Sequence, residues 1–450
     1  MTVRDAETAG ENMLYAGEKN CSVTSSRFRE CASVLSCALI AVFREHQALD
    51  HFLNRLFRSN SKYGSKDRRR IGDALFRVFR DYGFLQILLR EEDRSAENLL
   101  LYSSVLAGEK EYPACLLEKS PLPEEKLLEI AGKKDFSERI SSFGQELSLT
   151  DNLPQWLLPC FPSRSAAEDV AESLLTRSPL WFRLNFPGDG RKRKKILDEF
   201  ASKDIPLFFH EIKKDAFCIG NDKRVQLQEF MTFREGLFEI QDLSSQCIGS
   251  GCMYSEMEKE KEDFIRILDC CAGGGGKTLQ MASLLHEKGR NGKVFAWDIR
   301  KNKLEETFRR GKKAGLKNIV LLDSFPAGKT FDKVLVDAPC SGSGRWRRAP
   351  EQRLLLTEEE LDQVVATQWE ILENAAKCVK ENGILIYGTC SVFYKENMGI
   401  IEKFLACHPE FSPEGFASPL TGEMCPGNLY ILPSNGNCDG SFVARMRKKI

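Results

Sequence analysis

The chain has 450 residues, enough for two or three domains of ordinary size, and its 42% apolar and 29% charged residues suit a globular protein rather than a disordered one. Its 65 basic and 65 acidic residues cancel, so global charge selects no polyanionic partner. The longest nearly apolar run, Val34 to Phe43, is about half of what a membrane span requires, and the opening Met1-Thr2-Val3-Arg4-Asp5 lacks an apolar secretory core. A cytoplasmic protein with no membrane partner is expected.

In chain order, residues 1–25 are polar and aperiodic and read as a loose tail. Residues 26–152 read as an all-helical domain. Leu49, Phe52, Leu53 and Leu56 fall at i, i+3, i+4, i+7, and Ile71, Ala74, Leu75, Val78, Phe79 and Tyr82 keep that spacing over three turns. Leu153-Pro154-Gln155-Trp156 reads as the exit from it. Residues 153–255 form a small α+β module, with short strands at Trp181–Asn185, Leu207–Phe209 and Leu237–Ile240 between Gly, Pro and charged turns. The charged stretch Glu256 to Asp263 reads as a linker or surface loop.

The last domain, 256–450, alternates apolar runs with helical stretches: Phe264–Leu268, Val294–Trp297, Ile319–Leu322, Val334–Val336 and Ile384–Tyr387. That alternation predicts a parallel sheet wound on both faces, with ligands at the carboxyl ends of its strands. Asp269, Asp298, Asp323 and Asp337 each follow one of the first four runs. One such aspartate is ordinarily a turn or cap residue; four in succession point to one crevice.

Sixteen cysteines are scattered along the chain without any Cys-x-x-Cys, and the five histidines form no ligand-like pair with them, so no metal site is expected. Most of these thiols read as small buried hydrophobes. Basic clusters at Arg68–Arg70, Arg191–Lys195, Arg309–Lys313, Arg345–Arg348 and Arg445–Lys449 read singly as solvated surface and together permit an RNA footprint.

After the first run of the last domain comes Asp269-Cys270-Cys271-Ala272-Gly273-Gly274-Gly275-Gly276-Lys277-Thr278. Its end resembles a phosphate-binding P-loop, but Cys271 stands where the first glycine of that motif belongs, so the register fails. A nucleoside ligand fits better, with glycines admitting close backbone approach and Asp298 accepting hydrogen bonds from ribose hydroxyls. The fourth and fifth runs end in Asp337-Ala338-Pro339-Cys340-Ser341-Gly342-Ser343-Gly344 and Gly388-Thr389-Cys390-Ser391. Two cysteines thus fall just past strand ends beside the glycine loop, where inert packing is the weaker reading.

These motifs resemble those of the Sun/Nol/Nop family of RNA cytosine-5 methyltransferases, and most of all its bacterial small-subunit rRNA members. The resemblance rests on Asp269–Thr278, Asp337–Gly344 and Thr389-Cys390-Ser391 with Glu396-Asn397, and covers residues 153 to 450. Arg183-Leu184-Asn185, Gln241–Gln246 and Asp439-Gly440-Ser441-Phe442 match further landmarks. Lys66-Asp67-Arg68, opening a long helix, is similar to the NusB-like RNA-binding domain of this subgroup.

The resemblance implies a Rossmann-like methyltransferase domain, an RNA-recognition-like middle module and S-adenosylmethionine as cofactor. It implies a cofactor site lined by Cys271, Ala272, Gly273, Gly274, Gly275, Gly276, Lys277, Asp298, Asp323 and Asp337. Cys390 is the implied nucleophile, Cys340 assists breakdown of the adduct, and Asp337 also touches the cytosine. The chemistry calls for a thiol: addition of a thiolate to carbon 6 breaks the ring's aromaticity and makes carbon 5 enamine-like. A thiol near pKa 8.5 needs help to ionise, and Lys277 is a candidate cation for it.

The implied partner is RNA, with rRNA ahead of tRNA, and a monomer is expected. A DNA cytosine methyltransferase and a non-catalytic RNA-binding assembly factor are the alternatives. Three departures stand out: Gly273-Gly274 replaces the family's Ala-Pro, Ser441 replaces an aromatic, and the linker at 256–263 is unusually charged.

Overall fold

The 3.6-residue apolar spacing of the first third folds as helices Cys21–Phe43, Leu49–Ser59, Ser65–Leu88, Ala96–Leu106, Glu124–Ala131 and Phe136–Ser141 in the computed structural model. The structure describes residues 21–449 apart from 114–116, 118, 145, 221, 222, 224, 255–263 and 288. The charged linker expected at 256–263 and residues 1–20 of the expected tail therefore lie outside the described residues. The first helix starts at Cys21, inside that tail.

Leu49, Phe52 and Leu53 share one buried core with Ile71, Leu75, Val78, Phe79, Leu99, Leu101 and Val105, the stripe that the periodicity predicts. Ser95 and Asp135 cap their helices by accepting from the backbone N–H of Asn98 and Glu138.

This helical unit runs past the expected exit near residue 153, through the helix Arg164–Ser173 to Thr176, and takes in Trp346–Leu356 from far along the chain. Asn152 shows why the exit lies further on. Its side chain accepts from Gly83 N at 3.1 Å and donates to the Arg80 carbonyl at 2.7 Å, while Leu157 and Leu174 beyond it are fully buried. Arg353 on the returning segment is also fully buried. Its guanidinium donates to the carbonyls of Phe79, Arg80 and Asn152 at 2.9, 2.8 and 3.2 Å. Burial lowers its pKa to about 9. Nothing in the periodicity of 346–356 marks it as part of a helical domain.

The second unit comprises Arg177–Arg345 and the chain from Thr357 onward. Strands β1 (Leu180–Leu184), β2 (Phe208–Phe209), β3 (Ala216–Ile219) and β4 (Phe238–Ile240) pair antiparallel in the order β2-β3-β1-β4. β3 escapes the sequence reading because its apolar run is short and follows Lys213-Lys214-Asp215. One face of this sheet carries an aromatic core, with Phe182 on Phe217 at 5.1 Å and Phe200 on Phe230 at 4.6 Å between centroids.

Downstream, β5 (Ile265–Asp269), β6 (Gly292–Ala296), β7 (Ile319–Leu321), β8 (Phe331–Asp337) and β9 (Val379–Thr389) run parallel in the order β9-β8-β5-β6-β7. The chain builds outward from β5 through β6 to β7, then returns to lay β8 on the other side. That switch point opens a crevice at the carboxyl ends of β5 and β8. Alternate residues feed two cores: Leu268, Val334, Val336, Leu385 and Tyr387 on one face, Ile265, Ile267, Leu335, Ile384 and Ile386 on the other.

The sheet is mixed rather than wholly parallel. After β10 (Phe411–Pro413), β11 (Phe416–Ala417), β12 (Met424–Cys425) and β13 (Asn428–Ile431), strand β14 (Ser441–Lys448) pairs antiparallel with β9, β10 and β13. No crossover helix separates these last strands, and a parallel pair needs one or a comparably long connection. β11 and β12 form a separate ribbon.

Candidate active site

The glycine loop leaves β5 at Asp269 and enters the helix Gly276–Glu287. Asp269 does not face the crevice. It is buried, accepts from Thr278 Oγ1 at 2.7 Å, and burial pushes its pKa up to about 7, so it fastens strand to helix. Gly275 has φ +84° and lies so close to Thr307 that a Cβ would come within 2.6 Å of that side chain; only glycine fits.

Asp298 is buried just past β6, where its Oδ2 accepts from Gly273 N at 2.8 Å and from Arg300 Nη2 at 3.1 Å. Its Oδ1 accepts from Arg300 N and Nε, both at 2.9 Å. Burial works against this charge, but the donors from Arg300 and Gly273 outweigh it and hold the carboxyl below its usual range. The carboxylate's acceptor positions are thus filled. A ribose diol would have to displace Arg300 to reach them, and that side chain is 61% exposed. Next to Asp298, Ile299 is 82% exposed, an apolar surface suited to a flat base. Open glycine backbone, an acceptor carboxylate and that surface together fit a nucleoside cofactor. Asp323, beyond β7, is exposed and joins neither Asp298 nor Asp337 by a hydrogen bond among the described residues.

The two cysteines meet. Cys340, after β8, and Cys390, after β9, lie with Sγ atoms 3.0 Å apart, and both are half-buried. The hydrogen bond from Cys340 lowers the Cys390 pKa against the opposing effect of burial. The same bond, burial and the Cys390 charge raise that of Cys340. The pairing therefore favours ionisation of Cys390 over that of Cys340. Lys277 Nζ donates to Asp337 at 2.7 Å and to Ser245 Oγ at 2.9 Å. Burial opposes its charge, but Asp337 prevails and holds the ammonium above its usual pKa.

Glu396 ties the two cysteine loops together. Fully buried, it accepts from Ser341 N at 2.8 Å, Ser341 Oγ at 2.5 Å, Gln368 Nε2 at 3.0 Å and the Ser391 hydroxyl. Asn397 accepts from Thr389 Oγ1 at 2.6 Å and donates to the Ser391 carbonyl at 3.0 Å. Gly344 packs on the backbone of Gly440, whose N–H donates to the Gly344 carbonyl at 2.8 Å; a Cβ on Gly344 would overlap that backbone.

Of the residues singled out from sequence, Cys271 through Lys277, Asp298, Asp337, Cys340 and Cys390 all sit at the carboxyl ends of β5, β6, β8 and β9. Ser245, Arg300 and Gln368 were not singled out, and Glu396, quoted with Asn397 as a motif, carried no sign of the clasp that it makes. Ser245 sits in the Gln241–Gln246 landmark, which was the one usable signal for it.

The family described as 16S rRNA methyltransferase RsmB/F matches residues 255–447. The probable ribosomal RNA small subunit methyltransferase B of Bacillus subtilis (strain 168) is 29% identical over 321 residues, 68% of each chain. The ribosomal RNA small subunit methyltransferase B of Klebsiella pneumoniae (strain 342) is 30% identical over 306 residues, 66% of each. The chain belongs to the RsmB/F methyltransferase family.

As a family member it is a methyltransferase, and S-adenosylmethionine is its cofactor. It spans about two thirds of the length of these two relatives. The crystal structure of PH0851 superposes over 94% of this chain and 98% of its own, with a TM-score of 0.67 at 21% identity. NSun6 from Pyrococcus horikoshii, solved with SFG, superposes over 65% and 99%, with a TM-score of 0.53 at 18% identity. At these identities the likeness is one of fold: a methyltransferase domain on a mixed α/β sheet. Among the described residues of this RsmB/F member, no cluster of His, Cys, Asp and Glu is arranged to hold a metal. No described helix is long and apolar enough to cross a membrane.

Proposed function

We propose that the chain methylates carbon 5 of a cytosine in small-subunit rRNA through a covalent bond between Cys390 and carbon 6. The observation that carries this is the 3.0 Å pairing of Cys340 and Cys390 at the ends of adjacent strands, beside Lys277 and Asp337. The relatives' names supply the rRNA target.

The Cys390 thiolate adds to carbon 6, and electron density moves to carbon 5. S-adenosylmethionine, when bound, would supply an electrophilic methyl group, which carbon 5 takes with that electron pair while the sulfonium sulfur leaves as a neutral thioether. Cys271, Ala272, Gly273, Gly274, Gly275, Gly276 and Lys277 hold it with Asp298, Asp323 and Asp337, and Arg300 gives way at the ribose. Asp337, at the strand end that faces both ligands, also contacts the cytosine. Once Cys390 is a neutral thioether, its share of the upward shift at Cys340 is gone, while burial and Glu396 remain. Cys340 then releases its proton to solvent, and its thiolate accepts the carbon-5 proton. The C5–H electrons form the new C5–C6 double bond as Cys390 leaves as a thiolate. The target base must be unstacked to reach the thiol, which favours a loop or single strand over a duplex.

We further assign the helical unit, which extends from the expected 26–152 to Thr176 and includes Trp346–Leu356, to a NusB-like RNA-binding domain, residues 177–255 to an RNA-recognition-like module and the rest of 256–450 to the methyltransferase domain, in a monomeric cytoplasmic enzyme. The test is methyl transfer from labelled S-adenosylmethionine to unmodified bacterial RNA. Wild type should yield 5-methylcytosine in rRNA, Cys390→Ala none, and Cys340→Ala a covalent protein–RNA adduct. An adduct that forms through Cys340 and survives Cys390→Ala would reverse the two roles.

A further inference from the structure

Four consecutive glycines, Gly273 to Gly276, make a loop that loses much backbone freedom when it is ordered. The family's Ala-Pro, absent here at 273–274, would stiffen such a loop from within. In this chain the stiffness comes from the neighbouring helix, Lys301–Lys313. Thr307 and Arg310 stand one turn apart on it and present side chains to the loop. Thr307 Oγ1 donates to the Gly273 carbonyl at 3.2 Å, and Arg310 Nη1 donates to the Gly274 carbonyl.

Arg310 is anchored behind. Its Nη2 and Nε donate to Glu239 Oε2 at 2.9 and 3.3 Å. The Glu239 side chain is only 6% exposed, so this is not a solvated surface pair, which is how the basic run Arg309–Lys313 reads from sequence. One planar fork holds a buried carboxylate with one edge and a loop carbonyl with its other arm, a geometry that lysine cannot reproduce.

We propose that Arg310, braced by Glu239, is a positioning residue that keeps the glycine loop in its binding shape and so sets the affinity for S-adenosylmethionine. The inference rests on the reading of this loop as the cofactor site. It acts on the loop before the cofactor arrives, so its effect is readable in the cofactor-free protein.

The test uses the full-length protein, with calorimetric titration of S-adenosylmethionine and amide hydrogen exchange without it. Arg310→Ala and Arg310→Lys should each bind about tenfold more weakly, the scale of one hydrogen bond from a charged group. Exchange should quicken at residues 273–276 and stay unchanged in β8 and β9. The loss should appear in KM for the cofactor rather than in kcat. Adding Gly274→Pro to Arg310→Ala should restore most of the affinity, because a Cβ there meets only ordinary contacts, the nearest at 3.5 Å.

Unchanged affinity and exchange in Arg310→Ala would overturn the proposal. So would faster exchange throughout the unit, which would make Arg310 a general structural residue, or a double variant as weak as the single one. Wild-type protein that binds no S-adenosylmethionine would instead overturn the reading of the site itself.

Discussion

The thiol side and the cofactor side of the crevice are built differently. On the thiol side, Glu396, Asn397 and Gln368 hold the Cys340 and Cys390 loops from within, and all three are fully buried. On the cofactor side, the glycine loop and Asp298 are held by Thr307, Arg310 and Arg300, the last largely exposed. Buried, hydrogen-bonded networks fix geometry closely; an exposed partner such as Arg300 can exchange with a ligand. The difference matches the two tasks, since covalent chemistry needs a fixed sulfur position and cofactor turnover needs a site that opens.

The strongest way to break this comparison is to remove the clasp on the thiol side. Glu396→Ala should lower single-turnover methyl transfer by about 10²–10³-fold while calorimetric affinity for S-adenosylmethionine stays within about twofold, and Glu396→Gln should recover part of the rate. An equal loss of affinity would show that the two sides are not separate.

A smaller effect should appear in the acidity of the thiols. The Cys340 hydrogen bond lowers the Cys390 pKa, so Cys390 should be alkylated by iodoacetamide at a pH where an ordinary thiol is protonated. Cys340→Ala removes that donor and should move the midpoint of the pH–rate curve upward by about one unit, with mass spectrometry locating the label. A midpoint that stays in place would assign the acidity of Cys390 to its other neighbours.

The smallest effect concerns Arg300. If its guanidinium holds the place of a ribose at Asp298, Arg300→Ala should bind S-adenosylmethionine as well as wild type or up to about threefold tighter, the scale of an exposed ion pair. Weaker binding in a titration would mean that Arg300 contacts the cofactor itself.

What was legible in the sequence is what repeats or alternates. The apolar runs of β5 to β9 each announced a strand, and the glycine run and the two cysteines marked the strand ends at which they lie. The partners that hold those ends were not legible, because a charged residue carries no mark of where its side chain goes. Arg310 belongs to a basic run that reads as solvated surface and Arg353 to no run that stands out, yet one reaches Glu239 and the other is fully buried. The series of four aspartates also divides: Asp298 and Asp337 take polar donors at the crevice, Asp269 turns inward to Thr278, and Asp323 is exposed. Position after a strand predicts which end of the sheet an aspartate occupies, not which way its carboxylate turns. The antiparallel β14 was missed as such because strand direction depends on the whole connection: the helix Met398–Cys407 follows β9, and the short strands and turns after it bring β14 back in the opposite direction.

The return of Trp346–Leu356 to the helical unit has a consequence for synthesis. A chain leaves the ribosome from its N-terminus, and domains ordinarily complete themselves in that order. Here the helical unit lacks Trp346, which packs against Phe161, and Arg353, which bonds to Phe79, Arg80 and Asn152, until β5 to β8, the first half of the methyltransferase sheet, have been made. Its completion therefore waits on β5 to β8, with the glycine loop, Asp337 and Cys340, and precedes the strand that ends at Cys390. Cutting the gene after residue 176 would not release a finished module, nor would transplanting the later part leave one intact.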